Sequence, residues 1–524
     1  MSSDHWDGLP FLDVLRPETG WHVEGAILST YSLDMVVLVA AMLALAGLDD
    51  DQGSGSKVDF ANAYEQVRGK LRVLVQAGRI SWPKKHSSLL GILDRFVQEI
   101  HQDENKGSWH PKIALIKYGS ENGENPRWRL WIGSRNLSQA MSWEAGLALH
   151  SSIGGQGEKI PGIADLGFVL ANMAGLPSLP ADHVLQELKQ MTWQVPADLK
   201  IESAQFLLPN SKRKYPDELA SIRKLVVVSP FIDAATLHEF GGWGDQNTER
   251  YLLSTVSEIA RLNQQVGKPL LPFEDHLLIL AAPEENEFLF NSIASPSDEE
   301  VSDDEEVFDR ELHAKLLFVE HAQGLNLWLG SPNATRRGWL GPNYETLVHL
   351  TINPRIAAGI WAFLELAKPI SLRELPKPVE NTLEERLETA RKEVVNKWKV
   401  KQIRQAGSVT LLAEQTPHPS DPEISLEVGL VTGTLKLWPQ GVPSLHLALI
   451  SKANEIALRT LEYGWDREFG GILYFMDRLG YPTQQLEWDQ KLWWVHIETL
   501  ITMLKGYLLT GTDKNMEWVE KLHD

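Results

Sequence analysis

Two segments far apart in the chain carry the same three chemically active side chains at the same spacings. Each segment begins with His-x-Lys, continues through an aliphatic run and reaches Gly-Ser-x-Asn, and a glutamate follows further on. The imidazole, ammonium and amide belong to His110, Lys112 and Asn136 in the first copy and to His313, Lys315 and Asn333 in the second. This combination, present twice, indicates a binding site for an anion.

The two copies together supply the groups that cleavage of a phosphodiester needs. Ammonium groups neutralise the non-bridging oxygens, and amides donate hydrogen bonds to them. A neutral imidazole can attack phosphorus to form a phosphohistidine. The other imidazole, when protonated, can give its proton to the leaving oxygen and then activate water. One copy forms half of a phosphate-sized pocket. Two copies facing each other across a pseudo-twofold axis complete it, with no metal or other cofactor.

Four further residues accompany the motifs, a serine and a glutamate in each copy. A glutamate can hold one ring nitrogen of an imidazole and thereby fix its tautomer. The Gly-Ser turn can deliver the asparagine amide beside the histidine and lysine. We therefore predict that the site is supported by Ser134, Glu144, Ser331 and Glu345.

The motifs lie within a repeated pattern of aliphatic runs, which must position them. The first half contains AILSTYSL, LRVLVQA, KIALIKY and WRLWIGS, and the second contains KLVVVSPFID, HLLILAA, KLLFVEH and LNLWLGS. Helix-like segments such as DMVVLVAAMLALA separate the runs. Short apolar strands that alternate with helices are typical of a sheet covered on both faces, and so of an α/β fold. We expect each His-x-Lys pair to lie in a strand, where residues i and i+2 share a face.

Composition excludes several kinds of protein. The chain has 524 residues, of which 43% are hydrophobic and 23% charged, values typical of a globular protein with two or more domains. It has no cysteine, which excludes thiol nucleophiles, disulfides and cysteine-ligated metal sites. The net charge of −20 argues against broad attraction to nucleic acid but leaves room for a local basic channel. The N-terminus has no signal-peptide pattern and the longest apolar run is too short for a bilayer, so we expect a cytoplasmic protein without membrane insertion.

The paired motifs resemble those of the phospholipase D superfamily, whose members usually carry His-x-Lys followed by Gly-Ser-x-Asn twice per chain. The resemblance covers about residues 20–370 and implies a metal-independent phosphodiesterase built from two fused α/β halves, each a mixed sheet flanked by helices. It also implies that His110 is the nucleophile and His313 the general acid and base. The aspartate that the family places after the lysine is absent here, where Lys117 and Glu320 stand. Tyrosyl-DNA phosphodiesterases in the superfamily lack it too, so the departure weakens lipid hydrolysis more than phosphodiester chemistry.

The surroundings of the motifs favour nucleic acid, most of all DNA, as the substrate. Candidate substrate-binding residues are Arg135, Arg336 and Arg337. Tryptophans interleave with these arginines, a mixture suited to backbone contacts and base stacking, although we expect most of these tryptophans to fill the core. They are Trp109, Trp128, Trp131, Trp328 and Trp339. Hydrolysis of phospholipids is the alternative enzyme reaction, and a nucleic-acid-binding module without catalysis is a further one. The sequence leaves open DNA, RNA or lipid.

The C-terminal segment is similar to a different family. Its runs GWDREFGGILYF and LEWDQKLWWVHIETL resemble the N-acylglucosamine 2-epimerase family, over about the last 70 residues. The resemblance places His496 and Glu498 in a segment that contributes to a sugar pocket. Most of the helical ring that the family implies is missing, so sugar isomerisation is a minor alternative. We expect a mainly α-helical appendage that packs on the rest of the chain or mediates self-association or binding of a partner protein.

These patterns predict four regions. They are a first phospholipase D-like half at residues 1–200, a second half at 201–375, a basic helix and linker at 376–450, and an epimerase-like fragment at 451–524.

Overall fold

Aliphatic runs of the first half form a mixed sheet in the computed structural model. The strands are β1 Trp21–Thr30, β2 Leu33–Asp34, β3 Leu71–Gln76, β4 Ile80–Ser81, β5 Val97–Ile100, β6 Ile113–Ser120, β7 Arg127–Gly133, β8 Ser142–Trp143, β9 Gly146–Ser151 and β10 Trp193–Gln194. The helices are α1 Phe11–Leu15, α2 Met35–Ala46, α3 Lys57–Val67, α4 Ile163–Ala174 and α5 Ala181–Gln190. In the main sheet the order is β10-β9-β7-β6-β1-β3-β5. Strands β1, β3 and β5 are parallel, and the other neighbours are antiparallel.

The second half repeats this arrangement. Its strands are β11 Leu199–Leu207, β12 Ile222–Val228, β13 Glu249–Leu253, β14 Leu277–Leu280, β15 Glu311–Leu312, β16 Leu316–His321, β17 Gly324–Gly330, β18 Glu345–Ile352 and β19 Ala367–Pro369. Its helices are α6 Ala234–Gly241, α7 Val256–Asn263, α8 Arg336–Trp339 and α9 Pro354–Glu365. The sheet order is β11-β18-β17-β16-β12-β13-β14-β19. The run β9-β7-β6-β1-β3-β5 therefore corresponds to β18-β17-β16-β12-β13-β14. The predicted α/β class with two similar halves is confirmed.

Helices cover both faces of each sheet, as the continuous apolar strands require. Helix α2 shows how the sequence sets its bounds. The Asp34 carboxylate accepts a hydrogen bond from the Val36 N–H at its start, and Gly47 ends it in the left-handed region with φ 65°. The helices of the described ranges include none long and apolar enough to cross a membrane.

A shared apolar layer joins the two halves. It contains α4 and α5 from the first half, α9 from the second, and strand residues from both sheets, among them Leu115, Leu149, Val226 and Leu350. The outer face of the first sheet packs on α1, α2 and α3, and the outer face of the second packs on α6 and α7. Because the central layer draws on both sheets, it fixes how the two halves face each other.

Residues 383–524 form a separate compact unit. Its elements are α10 Leu383–Lys397, β20 Val400–Gln405, β21 Ser408–Ala413, β22 Glu427–Val428, β23 Lys436–Leu437, β24 Ser444–Ala448, α11 Ile450–Gly464, α12 Trp493–Thr510 and α13 Asp513–His523. Strands β20, β21 and β24 form an antiparallel sheet around the buried Trp438. The segment predicted as a helix and linker thus also contains a sheet. The last three helices pack around Met503 and Trp518.

The structure describes residues 11–48, 57–82, 88–140, 142–152, 157–209, 211–280, 311–377, 382–405, 408–429, 435–439, 441–448, 450–473 and 491–523. Part of the epimerase-like segment, residues 474–490, lies outside them.

Candidate active site

Both His-x-Lys pairs lie in extended backbone immediately before a central strand, β6 or β16, and not within it as expected. A backbone hydrogen bond from each histidine joins its pair to the other half of the molecule. The His110 N–H donates to the carbonyl oxygen of Tyr344 at 3.2 Å, and the His313 N–H donates to that of Trp143 at 2.9 Å. Each histidine is therefore held beside the residue that precedes the glutamate of the opposite motif. The two motifs share one site between the halves.

Each glutamate pairs with the histidine of the other half. Glu345 of the second half lies 2.8 Å from Nδ1 of His110, and Glu144 of the first half lies 2.9 Å from Nδ1 of His313. A carboxylate that accepts the Nδ1–H leaves the lone pair on Nε2, the nitrogen available for attack or proton transfer. The sequence indicated that the glutamates orient the imidazoles, but nothing in the spacing indicated that they do so across the halves.

The Gly-Ser residues hold the glutamates in place. The Ser134 hydroxyl donates to Glu144, and the Ser331 hydroxyl donates to Glu345. A Cβ at Gly133 would lie 2.5 Å from the Ala145 carbonyl oxygen, and one at Gly330 would lie 2.1 Å from that of Thr346. Only glycine permits this close approach of the two strands. The glycine and serine thus position the glutamate, which in turn positions the histidine of the other half.

The two lysines are almost fully buried, with 0% exposure for Lys112 and 1% for Lys315. Lys112 Nζ donates to Nε2 of His110 at 2.9 Å, and Lys315 Nζ donates to the His313 carbonyl oxygen at 2.8 Å. A buried ammonium is costly unless an anion neutralises it. The charges of Lys112, Glu144 and Glu345 all act on Lys315, so the two amino groups and the two carboxylates form one buried cluster, a combination that suits a bound phosphate.

Burial sets the protonation states. It lowers the pKa of His110 to about 4, against the attraction of Glu345. Burial, then the charge of Lys315, lowers the pKa of His313 to about 4 as well. Both imidazoles are therefore neutral at pH 7 in the unliganded site, whereas the sequence analysis expected opposite states. Burial also lowers the pKa of Lys112 to about 8 and lowers that of Lys315 well below its ordinary value.

The two asparagines lie in equivalent turns, each held by a hydroxyl at the end of one of the corresponding strands β1 and β12. The Thr30 hydroxyl accepts the Leu137 N–H at 3.0 Å and donates to Asn136 Oδ1 at 3.4 Å. The Ser229 hydroxyl accepts the Ala334 N–H at 2.8 Å. Within the described residues, Asn333 Oδ1 is buried without a hydrogen-bond partner. Sequence reasoning missed Thr30 and Ser229, although each follows an aliphatic strand.

The predicted substrate-binding arginines have different environments. Arg135 is half-buried and lines a cavity beside Glu144, and Arg336 is exposed. Arg337 is also exposed, but its guanidinium donates to the Glu104 carbonyl oxygen at 2.7 Å. Its contact with the other half gives Arg337 a structural role in addition to its predicted one.

The five tryptophans of the motif region do not surround the site as free stacking surfaces. Their exposed fractions are 0% for Trp109, 1% for Trp128, 8% for Trp131, 5% for Trp328 and 6% for Trp339. The interpretation that they stack on bases is therefore wrong, and they fill the cores of the two halves. Aromatic residues at this spacing in strands next to a site are core-forming because the sheet is covered on both faces.

A tyrosine that the sequence analysis did not single out lies against the first histidine. The rings of Tyr31 and His110 have centroids 5.1 Å apart in an edge-to-face arrangement. The Tyr31 hydroxyl donates to Glu104 at 2.8 Å, and Arg79 pairs with the same carboxylate at 2.6 Å. The position of Tyr31 just past the end of β1 was the available signal, because the ends of neighbouring strands meet at the site.

A cavity of about 810 Å³ opens beside Glu144 and runs along the second sheet. Its walls are mainly apolar, with Trp131 and Trp143 from the first half and residues of β17, β18 and α9 from the second. Its polar and charged lining residues are Arg135, Glu144, Asp198 and Arg355.

Comparison with known proteins finds two separate similarities. The family model for N-acylglucosamine 2-epimerase (GlcNAc 2-epimerase) matches residues 441–524, which confirms the predicted resemblance of the C-terminal segment. The N-acylglucosamine 2-epimerase of Mus musculus is 43% identical over 72 residues, 14% of this chain and 16% of that protein. That of Bos taurus is 54% identical over 58 residues, 11% of this chain and 14% of that protein. The chain thus spans only about one sixth of the length of these relatives.

Three solved structures are similar to this chain at low sequence identity. Yeast tyrosyl-DNA phosphodiesterase is 10% identical with a TM-score of 0.37, covering 66% of this chain and 87% of that one. Phosphatidylserine synthase of Haemophilus influenzae is 12% identical with a TM-score of 0.35, covering 70% and 86%. Polyphosphate kinase from Porphyromonas gingivalis is 12% identical with a TM-score of 0.36, covering 71% and 48%.

In the C-terminal unit, the histidine singled out by the epimerase resemblance is engaged in local structure. Nε2 of His496 accepts the Ile472 N–H at 3.0 Å, and its Nδ1 lies 3.0 Å from the Leu492 carbonyl oxygen. Both ring nitrogens therefore have backbone partners, while Glu498 is exposed.

Proposed function

We propose that this chain is a metal-independent phosphodiesterase that cleaves DNA through a phosphohistidine intermediate. One observation carries the proposal. Two imidazoles are each oriented by a glutamate from the opposite half, at 2.8 and 2.9 Å, beside two buried lysines. A purely structural role leaves such a concentration of buried charge unexplained, because buried ionisable groups are costly.

In the first step, Nε2 of His110 attacks phosphorus and the bond from phosphorus to the leaving oxygen breaks. Lys112 must release its hydrogen bond to Nε2 and donate to a non-bridging oxygen of the substrate instead. The leaving oxygen takes a proton from His313. The bound phosphodiester supplies the negative charge that offsets Lys315, so substrate binding favours the protonated form of His313 that this step needs.

In the second step, water attacks phosphorus and the bond from phosphorus to Nε2 of His110 breaks. His313, now neutral, accepts a proton from the attacking water and regains the protonated form with which the first step began. Glu345 keeps the Nδ1–H of His110 throughout and stabilises the cationic phosphohistidine. Asn136 and Asn333, with the two lysines, hold the non-bridging oxygens in both steps.

Basic and aromatic groups near the site support DNA as the substrate. Arg135 and the exposed Arg336 each adjoin an asparagine turn, where they can contact flanking phosphates. Phe231, two residues after Ser229, is 56% exposed and offers a stacking surface for a base. The site thus offers arginines for contacts with the DNA backbone and one exposed ring for stacking, which suits a single-stranded or frayed end.

The test uses short end-labelled single- and double-stranded DNA with excess EDTA. We expect cleavage by the wild-type chain that survives EDTA, and loss of about 10³-fold or more in the His110→Asn variant. With a p-nitrophenyl ester of a nucleotide, the leaving p-nitrophenolate needs no acid. In the His313→Asn variant this ester should leave the nucleoside phosphate bound to Nε2 of His110, detectable by mass spectrometry. Cleavage abolished by EDTA, or undiminished in His110→Asn, contradicts the proposal.

The apolar cavity beside Glu144 favours one second candidate, hydrolysis of a phospholipid. The cavity has a volume of about 810 Å³, which can hold an alkyl chain, and Glu144, the partner of His313, lies in its wall. Mixed micelles of phosphatidylcholine, assayed for release of choline beside the DNA assay, separate the two substrates. The bulky variant Ala358→Trp, inside the cavity wall, should block lipid hydrolysis and spare DNA cleavage.

A further inference from the structure

Helix α12 has apolar residues on two opposite faces. Val495, Met503 and Gly506 lie on the face that packs against α11 and α13. The opposite face carries four aliphatic residues, which are Ile497 at 47%, Ile501 at 39%, Leu504 at 38% and Leu508 at 79% exposure. A helix that is apolar all round is normally covered all round. The second face therefore requires a covering surface beyond those the described part of this unit provides.

The spacing of the four residues identifies the kind of surface. They follow one another at intervals of four, three and four residues. This alternation is the a and d pattern of a coiled coil, in which each residue inserts between residues of a facing helix. The four residues, called the α12 seam, thus match a second helix with the same pattern better than a flat surface.

The charges on α12 favour a second copy of the same helix. Its two charged residues, Glu498 and Lys505, are seven apart and lie on the same edge of the α12 seam. In a heptad numbering with Ile501 at a, both occupy e. Two antiparallel helices bring e next to e, so the glutamate of each copy lies near the lysine of the other. A parallel pair does not bring these positions together.

We propose that the chain forms a homodimer through antiparallel pairing of α12 with α12 of a second copy. Ile501 packs against Leu504 of the partner subunit, and Ile497 packs against Leu508 of the partner subunit. Glu498 lies within one helical turn of Lys505 of the partner subunit, twice about the two-fold axis. The seam is short, so a dissociation constant on the order of micromolar is expected. This inference is independent of the proposed function.

The first test measures the mass of the full-length chain by sedimentation equilibrium, from about 1 to 100 μM. The wild-type chain should approach twice its single-chain mass of 58.9 kDa at the higher concentrations. The double variant Ile501→Glu, Leu504→Glu should stay at the single-chain mass, with an unchanged circular dichroism spectrum because both positions are exposed. Leu387→Glu on α10, at a position with 47% exposure, is the matched control and should dimerise like the wild type.

The second test reverses charges. Glu498→Lys alone and Lys505→Glu alone should each weaken dimerisation roughly threefold to tenfold, and the double reversal should restore it. Restoration identifies the antiparallel self-pairing, because neither a parallel pair nor a foreign partner predicts it. A wild-type chain that stays monomeric to the highest concentration overturns the proposal. So does a dimer that survives the double glutamate variant. A lower melting temperature of that variant without a change in mass assigns the seam to packing within one chain, which also overturns it.

Discussion

Nδ1 of His110 lies 2.8 Å from Oε2 of Glu345, a carboxylate 235 residues further along the chain and in the other half of the molecule. The reciprocal pair, His313 with Glu144, has the same geometry at 2.9 Å. Each half therefore supplies the carboxylate that pairs with the histidine of the other half, and a single half on its own leaves its histidine and its glutamate without these partners. This exchange makes the roles of the two histidines separately testable.

We expect Glu345→Gln and Glu144→Gln to slow different steps. With an activated p-nitrophenyl ester, attack by His110 needs no general acid, so Glu345→Gln should slow the pre-steady-state burst by about 10²-fold. Glu144→Gln should leave the burst within about threefold and slow the steady state by about 10²-fold, since His313 is needed to activate water. Stopped-flow absorbance of p-nitrophenolate measures both phases.

The exposed Glu121→Gln is the control for a change of charge alone, and both phases should stay at wild-type rates. The opposite pattern, with the burst lost in Glu144→Gln and kept in Glu345→Gln, makes His313 the nucleophile.

Activity should fall on the alkaline side because of Lys112. Burial lowers the pKa of its ammonium to about 8, and only the charged form neutralises the phosphate. We expect kcat/KM to decline about tenfold per pH unit above pH 8. The decline should be absent from Lys112→Met, which should be slow at every pH. The profile is measured between pH 6.5 and 9.5, with the exposed Lys106→Met as control. A wild-type profile that stays flat to pH 9.5 contradicts this role for Lys112.

The free energy of unfolding should depend on pH through His110. Its pKa is about 4 in the folded chain against 6.5 for the ordinary imidazole, so the unfolded chain binds the proton first. The contribution of His110 to the free energy of unfolding is complete above pH 6.5 and is lost as the pH falls toward 4. The total change is about 3 kcal/mol.

Replacement by His110→Gln should therefore reduce by about one the number of protons taken up on unfolding between pH 4 and 6.5. The uptake is read from the slope of denaturant-unfolding free energy against pH. His183→Gln, at an exposed position of α5, should not change that slope as much. An equal slope in wild type and His110→Gln means that His110 titrates alike in both states.

The sequence predicted the duplicated α/β plan because local sequence patterns determine that plan. The aliphatic runs become β1, β3, β6 and β7 in the first half and β12, β14, β16 and β17 in the second. A repeated polar motif implies a repeated position in the fold. The identity of the residues that converge was also readable, since imidazole, ammonium and amide recur at fixed spacing. What the patterns could not give was the exchange of Glu144 and Glu345, which depends on how the central apolar layer docks the halves.

Sequence patterns also failed to predict three other features of the structure. Whether Trp109 and Trp328 face substrate or core depends on the helices that cover each sheet, which strand periodicity alone does not place. The sheet of β20, β21 and β24 was missed because its short strands lie between proline-bearing stretches that are typical of linkers. The contact of Tyr31 with His110 joins two loops separated by several elements, and no local pattern records it.

Tyr31 should act as a positioning residue for His110. Its ring packs edge-to-face on the imidazole at 5.1 Å, and its hydroxyl is held at 2.8 Å by Glu104, which Arg79 pairs in turn. The ring limits rotation of the histidine, whereas the hydroxyl only anchors the ring. We therefore expect Tyr31→Phe to lower kcat by less than about threefold, and Tyr31→Ala to lower it by about 10- to 100-fold with KM nearly unchanged.

The burst assay separates this role from a general loss of structure. A misplaced nucleophile slows the burst, while water activation by His313 stays at its wild-type rate, so Tyr31→Ala should slow the burst more than the steady-state hydrolysis of a preformed phosphoenzyme. Glu104→Gln keeps the hydroxyl contact but loses the charge that pairs Arg79, and should fall between the two tyrosine variants. Loss of both phases together in Tyr31→Ala, with a lowered melting temperature, instead assigns the tyrosine to folding of the first half. A burst that is kept in Tyr31→Phe but lost in Tyr31→Leu shows that the aromatic edge itself orients the imidazole.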